Sequence, residues 1–141
     1  MIQDAPPPPP PEAHALMLTG VGRFAVFADM ATVRRDGPEA RIRSLQVAEE
    51  AFTVGDKTYL GGWSWWRFDC AEALADRLDF ASLAADRTEG PATPERQPPY
   101  PASPGGDAAE LMAAACGAPP TGPIFSTVAA AVTHARARMA E

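Results

Sequence analysis

The sequence predicts an α+β domain, with antiparallel strands in the first half of the chain and two short helices in the second. Short runs rich in valine and phenylalanine alternate with glycine- and proline-containing turns between residues 15 and 70. Alanine-rich helical segments follow the Pro-Gly-Gly turn at 104–106 and Ser126. The 141 residues, of which 46% are hydrophobic, suit one domain with a modest core.

Turn signals divide the first half of the chain into four predicted strands. Glycines at 20 and 22, an Asp-Gly-Pro turn at 36–38 and a Gly-Asp turn at 55–56 separate the apolar runs. Gly61 and Gly62 predict a bend or bulge within the fourth strand. The strands are predicted at 16–19, 23–30, 40–48 and 58–70.

Alternation along the fourth strand separates two sets of side chains. Ser64, Trp66, Phe68 and Cys70 share one face, and Trp63, Trp65, Arg67 and Asp69 share the other. We expect Trp66 and Phe68 in the core, because a cysteine bonded to a packing helix points inwards. The second face has two interpretations. Either a terminal helix or loop covers it, or Trp63 and Trp65, flanked by Arg67, form an exposed recognition surface.

The second half of the chain contains one ambiguous segment, one long connection and two helices. Residues 72–87 have high helix propensity, yet Leu74, Leu78 and Phe80 also share strand parity. Six prolines predict an irregular connection over 90–106, in which Tyr100 is a packing anchor or a surface contact. The helices are predicted at 107–116, with Asp107 as N-cap and Gly117 as C′ residue, and at 127–140, capped by Ser126.

Cys70 and Cys116 end two different predicted elements, which is typical of a disulfide that joins them. If they are bonded, the chain belongs in an oxidising compartment. The bond would close a loop of about 47 residues, to which the chain-entropy model assigns roughly 4 kcal/mol.

The N-terminal segment, residues 1–14, is predicted to be a disordered proline-rich tether ahead of a single domain over 15–141. Pro6 to Pro11 favour a polyproline II rod, which acts as a spacer or as a ligand for a proline-binding groove. We expect His14 to be exposed. The segment lacks the basic start and apolar run of a signal peptide. The alternatives are a cytosolic protein and an exported one whose signal peptide is missing.

Charge and composition exclude several classes of function. The net charge of −6 disfavours binding to nucleic acid or to an anionic membrane surface. No apolar run approaches the length of a membrane span. We predict no cofactor, no metal site and no catalytic residue.

Three enzymatic interpretations have little support in the sequence. Gly20 to Ala25 resembles a dinucleotide fingerprint only as a string, because a strand follows it where that motif requires a helix. A Cys70 nucleophile with His134 and Asp69 would need residues far apart in sequence to converge. Asp69 and Glu72 could form an acid pair, but adjacent surface carboxylates are common.

Residues 18–116 resemble the surface-adhesin protein E-like family of bacterial envelope proteins. The resemblance rests on the strand ending Ala-Val-Phe-Ala-Asp29, the strand ending Phe-Asp-Cys-Ala71, the loop starting at Tyr100, and the helix from Asp107 to Cys116. It implies an open antiparallel β-sheet with a short helix disulfide-linked to one face, strand structure within 72–87, and no catalysis. It also implies export to the periplasm or cell surface. The predicted helix after Cys116 is additional to the family pattern.

These observations predict a non-enzymatic protein-binding or adhesin-like module whose partner is a protein or envelope component. The candidate binding surface is Trp63, Trp65, Arg67 and Tyr100. One alternative is a small hydrolase or ligand-binding enzyme with its site near the proline-rich loop at Tyr100. Another is a structural subunit that oligomerises through its terminal helix.

Overall fold

A computed structural model describes residues 13–141. The predicted polyproline rod and all but the last two residues of the predicted tether lie outside this range. The strands are β1 Leu16–Val21, β2 Phe24–Asp36, β3 Glu39–Val54, β4 Lys57–Asp69, β5 Leu74–Arg77, β6 Asp79–Ala84, β7 Thr93–Pro94, β8 Tyr100–Pro101 and β9 Ile124–Phe125. The helices are α1 Asp107–Ala115 and α2 Val128–Met139.

The strands form one open antiparallel sheet, as the sequence predicts. Its order is β7-β6-β4-β3-β2-β1-β9, and β5 pairs with both β4 and β8. Strands β1 to β4 are sequential neighbours joined by the predicted turns. Their register places Phe27 opposite Leu45 and Leu45 opposite Trp63. These three side chains form an apolar row across the strands, and all of them are buried.

Residues 72–87 form the two short strands β5 and β6. Strand β5 places Ala75 opposite Phe68, and β6 places Ala81 opposite Trp63. Ala73 takes a positive φ of 55° in the turn that reverses the chain before β5. Local helix propensity is overridden here because both strands complete ladders along β4.

Alternate residues of the strands belong to two separate core clusters. Leu16 and Phe27 pack in one cluster with Trp63 and with Ala131 and Ala135 of α2. Their sequence neighbours Met17 and Ala28 pack in the other cluster, together with Trp66, Phe68 and the α1 residues Leu111, Ala114 and Ala115. Successive side chains of a strand point to opposite faces of the sheet. Helix α2 therefore packs with the side chains of the first cluster and helix α1 with those of the second.

A disulfide joins Cys70 to Cys116, with the two Cα atoms 5.9 Å apart. This bond links the end of β4 to the end of α1, so the predicted pairing is confirmed. Gly117 follows with a φ of +104°, the left-handed conformation that favours glycine after a helix.

The cap residues of both helices differ from the prediction by one position. Gly106 is the N-cap of α1 without a side-chain hydrogen bond, and Asp107 is the first helical residue. In α2 the N-cap is Thr127, whose hydroxyl accepts a hydrogen bond from the Ala130 N–H, and not Ser126. The prediction was wrong because adjacent residues of similar capping ability compete for one site.

Gly61 and Gly62 allow close approach on both sides of β4. A Cβ at Gly61 would collide with the backbone carbonyl of Gln46, and one at Gly62 would collide with the ring of Phe80. The register of β4 against β6 shifts between Tyr59 and Gly61, which confirms the predicted irregularity. The close packing of β3 and Phe80 therefore requires glycine at both positions.

Candidate functional site

The structure buries both tryptophans of the predicted aromatic surface. The exposed fraction is 1% for Trp63 and 9% for Trp65. The interpretation of this face as an exposed aromatic patch is therefore wrong. Trp63 packs with Ala131 and Ala135 of α2, in agreement with the other interpretation, in which a terminal helix covers the face. The other two predicted residues are accessible, since the side chain of Arg67 is 36% exposed and Tyr100 is 41% exposed.

Trp63 lies at the centre of a polar network that also contains His14, Asp29, Arg43 and Glu89. The His14 ring stacks on the indole with centroids 5.2 Å apart. The Arg43 guanidinium carbon lies 4.6 Å from the centroid of the Trp63 ring. An aromatic ring in contact with a cation and a second ring is a stable packing unit.

Asp29 contacts His14 in this Trp63 network and is completely buried. Its Oδ2 lies 2.8 Å from His14 Nδ1, and its Oδ1 accepts hydrogen bonds from the Ala15 and Ala31 N–H groups. The His14 side chain is only 17% exposed, so the expectation of an exposed histidine was wrong. The buried carboxylate fixes the chain immediately before β1.

Arg43 links the Trp63 ring to Glu89 in the same network. Its Nη1 and Nη2 donate to the two carboxylate oxygens of Glu89 at 3.1 and 2.6 Å. Glu89 also forms a β-bridge with Leu83, so this ion pair fastens the chain after β6 over the sheet. Arg43 Nε and Trp63 Nε1 are buried without a hydrogen-bond partner among residues 13–141.

Arg67 and Tyr100 lie at one end of the sheet, in a region that we call the β5–β8 edge. Arg67 Nη2 donates a hydrogen bond of 2.6 Å to Oδ2 of Asp76, which is its register partner in β5. Tyr100 of β8 pairs with Ala75 of β5. Because Ala75 and Asp76 are consecutive, Arg67 and Tyr100 project from opposite faces of this edge. The structure thus brings these two residues to one edge without placing them on one face.

Partial burial shifts the pKa values of two side chains near this edge, Tyr100 and Asp79. Desolvation raises the pKa of the Tyr100 hydroxyl. The positive charge of Arg77 lowers this pKa, whereas the nearby carboxylates raise it further; they belong to Asp107, Asp76 and Glu95. Desolvation also raises the pKa of Asp79, although its Oδ1 accepts a hydrogen bond of 2.7 Å from the Trp65 N–H. Neutral Tyr100 is therefore a hydrogen-bond donor at physiological pH.

The residues weighed for catalysis have structural roles. Cys70 is in the disulfide, and residues 13–141 contain no free cysteine. Asp69 Oδ1 accepts hydrogen bonds from the Ala71 and Glu72 N–H groups and so closes the turn before β5. Residues 20–25 span the end of β1, a turn and the start of β2, so they do not open a helix.

Two further properties concern the described part of the chain as a whole. Across residues 13–141, no three side chains of histidine, cysteine, aspartate or glutamate are grouped as a metal site requires. Neither helix in that range has the length and apolar character needed to cross a membrane.

The Trp63 network was missed at the level of the sequence. Glu89 lies 46 residues after Arg43, and His14 lies 15 residues before Asp29, so no local motif connects these pairs. One signal was present: Asp29 interrupts an apolar strand, and an acidic residue in such a position needs a partner.

The chain was compared with families and with individual proteins. A family model described as Surface-adhesin protein E matches residues 16–117. The matched range starts with β1, contains both cysteines and ends just after α1. No curated protein and no solved structure matches the chain.

Proposed function

This chain belongs to the surface-adhesin protein E family, and on that premise we propose that it is a non-enzymatic, protein-binding module of the bacterial cell envelope. The family match over residues 16–117 is the observation that carries the proposal. The Cys70–Cys116 disulfide supports it, because such bonds persist in the periplasm and on the cell surface and are rare in the cytosol. The partner is a host protein or an envelope component.

The β5–β8 edge is the proposed contact surface. Tyr100 combines a large apolar ring with a hydroxyl donor and is 41% exposed. Arg67 is accessible on the opposite face of the same edge, so a partner contacts both residues by enclosing the edge. Tyrosine and arginine are among the residue types that most often dominate binding at protein interfaces. Trp63 and Trp65 are buried, so they belong to the interior of the molecule and not to this contact surface.

The edge also has features that suit a partner of mixed charge. Arg67 pairs with Asp76 at 2.6 Å, and Arg77 lies 3.9 Å from Glu95. Both arginines are partly exposed, so a carboxylate of a partner can pair with either of them. Pro94 and Pro101 lie in the short outer strands β7 and β8, which limits simple strand addition at this edge.

A double substitution tests the surface directly. We expect Arg67→Ala/Tyr100→Ala to weaken binding roughly tenfold or more, because residues of these types dominate many interfaces. Binding is measured by surface plasmon resonance on immobilised host extracellular-matrix proteins and on an extract of bacterial envelope proteins. The melting temperature of the variant should stay close to that of the wild type.

The matched control is Arg23→Ala/Phe52→Ala. These residues are also an exposed arginine and an aromatic residue, and Phe52 has the same exposed fraction of 41% as Tyr100. They lie at the β2 start and the outer part of β3, away from the edge. Equal loss of binding in the control refutes the assignment of the surface, and wild-type protein that binds neither material refutes the proposed function.

A further inference from the structure

Arg77 lies on the same face of the β5–β8 edge as Tyr100. Tyr100 is the register partner of Ala75, and directly paired residues of neighbouring strands share a face of the sheet. Ala75 and Arg77 are two positions apart in β5, so their side chains point to that face as well. A partner that touches Tyr100 can therefore reach Arg77 from the same side, whereas Arg67 projects from the opposite face.

Three neighbours hold the guanidinium group of Arg77. Its Nε donates a hydrogen bond of 2.9 Å to the hydroxyl of Ser64, a residue that is only 2% exposed. The guanidinium carbon lies 6.0 Å from the centroid of the Trp66 ring and 5.5 Å from the centroid of the Phe80 ring. A cation and an aromatic ring attract each other at these distances. The orientation of the guanidinium is thus set by the protein before a ligand binds.

The two Nη nitrogens of Arg77 are the donors left for a ligand. Its ion-pair partner within residues 13–141 is Glu95, whose Oε1 lies 3.9 Å from Nη1, beyond hydrogen-bond distance. The Glu95 N–H donates to the Leu78 carbonyl, so the backbone keeps this carboxylate beside β5. The side chains of Arg77 and Glu95 are 28% and 33% exposed. An accessible guanidinium edge with no closer acceptor in this range matches the geometry of a planar carboxylate.

The Tyr100 hydroxyl adds a neutral donor on the face that carries Arg77. Desolvation is the largest cause of the raised Tyr100 pKa, so the hydroxyl keeps its proton at physiological pH. The charge of Arg77 is the next largest cause and lowers this pKa, which shows that the two side chains lie within electrostatic reach of each other. A cation and a neutral donor on one face together favour a ligand with two acceptor oxygens.

We propose that Arg77 and the Tyr100 hydroxyl form a carboxylate-binding subsite of the β5–β8 contact surface, and that the partner presents an aspartate or glutamate side chain there. This inference rests on the proposed function, in which the partner is a protein. The carboxylate accepts two hydrogen bonds from Nη1 and Nη2 of Arg77 and one from the Tyr100 hydroxyl. It takes the place of Glu95, which competes for the same edge of the guanidinium from 3.9 Å.

The first test uses a fluorescent hexaglutamate peptide with an amidated C-terminus, and a hexaglutamine peptide as its neutral control. The chain has a net charge of −6 and repels the acidic peptide as a whole, so binding requires a local site. Fluorescence anisotropy should show binding of the glutamate peptide alone. Arg77→Gln should weaken that binding roughly tenfold or more, because the charged donor is lost. Tyr100→Phe should weaken it roughly threefold through loss of the hydroxyl.

Two further variants make the test specific for this subsite. Arg41→Gln removes an arginine whose ion pair with Glu39 also measures 3.9 Å, and which lies opposite Arg67 on the other face of the sheet. Its affinity for the glutamate peptide should equal that of the wild type. Glu95→Gln removes the internal competitor, so the peptide should bind roughly two- to fivefold more tightly than it binds the wild type.

Several outcomes overturn the subsite. They are equal affinity of the wild type for the two peptides, an Arg77→Gln variant that binds like the wild type, and an equal loss in Arg41→Gln. If Arg77→Gln does not fold, Glu95→Gln decides, because misfolding does not raise affinity and an unchanged affinity contradicts the competition. An oligogalacturonate carries its carboxylates on a sugar chain. If its binding depends on Arg77 and that of the peptide does not, a protein carboxylate is refuted as the ligand.

Binding to whole proteins separates this inference from the proposed function. In the surface plasmon resonance measurements on host matrix proteins and envelope extract, Arg77→Gln should weaken binding by a factor similar to that for the peptide. Wild-type binding that Arg77→Gln leaves unchanged overturns the subsite and leaves the proposed function standing. A wild-type chain that binds the glutamate peptide through Arg77 but binds neither material refutes the proposed function and supports the carboxylate subsite.

Discussion

At the scale of single residues, buried polar side chains are each held by particular partners. Asp29 is completely buried and contacts His14 and two backbone N–H groups, while Arg43 pairs with Glu89 through two hydrogen bonds. Such groups stabilise a fold only when their hydrogen bonds are complete, because an unpaired buried charge is costly. Two groups in this region depart from this rule. Arg43 Nε is buried without a partner among residues 13–141, and desolvation of Asp79 outweighs its favourable contacts.

The first prediction concerns the charge of Asp79. Burial raises its pKa from the ordinary value of 3.8, and the Trp65 N–H, Arg43 and Arg77 offset this only in part. A carboxyl whose pKa rises on folding destabilises the folded state when it is ionised. That destabilisation is absent below the unfolded-state pKa and complete above the folded-state pKa.

Asp79→Asn removes the charge and keeps an oxygen acceptor for the Trp65 N–H. We expect its free energy of unfolding to equal or exceed that of the wild type at about pH 7, and this advantage to vanish towards about pH 3. Asp79→Ala should lose about 1–3 kcal/mol, because the Trp65 N–H is left without its acceptor. Urea unfolding at both pH values measures these differences, and an Asn variant as unstable as the Ala variant would contradict the argument.

The second prediction compares Trp63 with Arg67. Trp63→Ala should lower the free energy of unfolding by about 3–5 kcal/mol, because it empties the centre of a core cluster. Arg67→Ala should lower it by only about 0–1 kcal/mol, since its ion pair with Asp76 is partly exposed. Urea titrations followed by circular dichroism give both values. Similar small losses would show that Trp63 is not a core residue.

At the scale of secondary-structure elements, the two helices are attached in different ways. Helix α1 has nine residues, is too short to be stable alone, and is bonded covalently to β4 through Cys116. Helix α2 has no covalent attachment to the sheet and docks through small side chains. The two helices therefore differ in whether a covalent bond holds them to the sheet.

The third prediction concerns the disulfide. Cys70→Ala/Cys116→Ala should lose about 4 kcal/mol of unfolding free energy, because the sequence separation of 46 closes a long loop in the unfolded chain. Amide hydrogen exchange should accelerate most in α1, at residues 107–115. Helix α2 serves as the internal control, and equal acceleration in both helices would show that the bond does not act on α1 in particular.

At the scale of the whole molecule, the proposed location in an oxidising compartment is supported by the single disulfide. The net charge is −6, and the two cysteines of the sequence are bonded to each other. The fourth prediction is that protein isolated from its native cell and denatured without reductant contains no free thiol. A thiol-reactive dye and intact mass measure this, and a count of two thiols would contradict export.

The four long strands β1 to β4, their turns and the disulfide could be predicted from the sequence because their signals are local. The two-residue strands β7, β8 and β9 were not predicted. Period-two alternation along β4 placed Trp66, Phe68 and Cys70 on one face, and the glycine turns marked the strand ends. The segment 72–87 could not be decided locally. Its residues prefer a helix, and only the ladders with β4 make them strands.

For the candidate surface too, the sequence identified the residues, but only the tertiary structure decided which of them are exposed. Composition and pattern identified Trp63, Trp65, Arg67 and Tyr100, but whether each is buried depends on what packs against it. Helix α2 and His14 cover Trp63, and neither contact has a signal in the residues near it.

The sequence by itself determined the antiparallel strands, the two helices, the cysteine pair and the family, because these depend on neighbouring residues and fixed spacing. Only the tertiary structure decided that the tryptophan face is closed, that Asp29 and Arg43 form one network around Trp63, and that Arg67 and Tyr100 meet at one edge. The physical reason is that burial and charge pairing are set by contacts between residues distant in the chain, whose free energies no local pattern records.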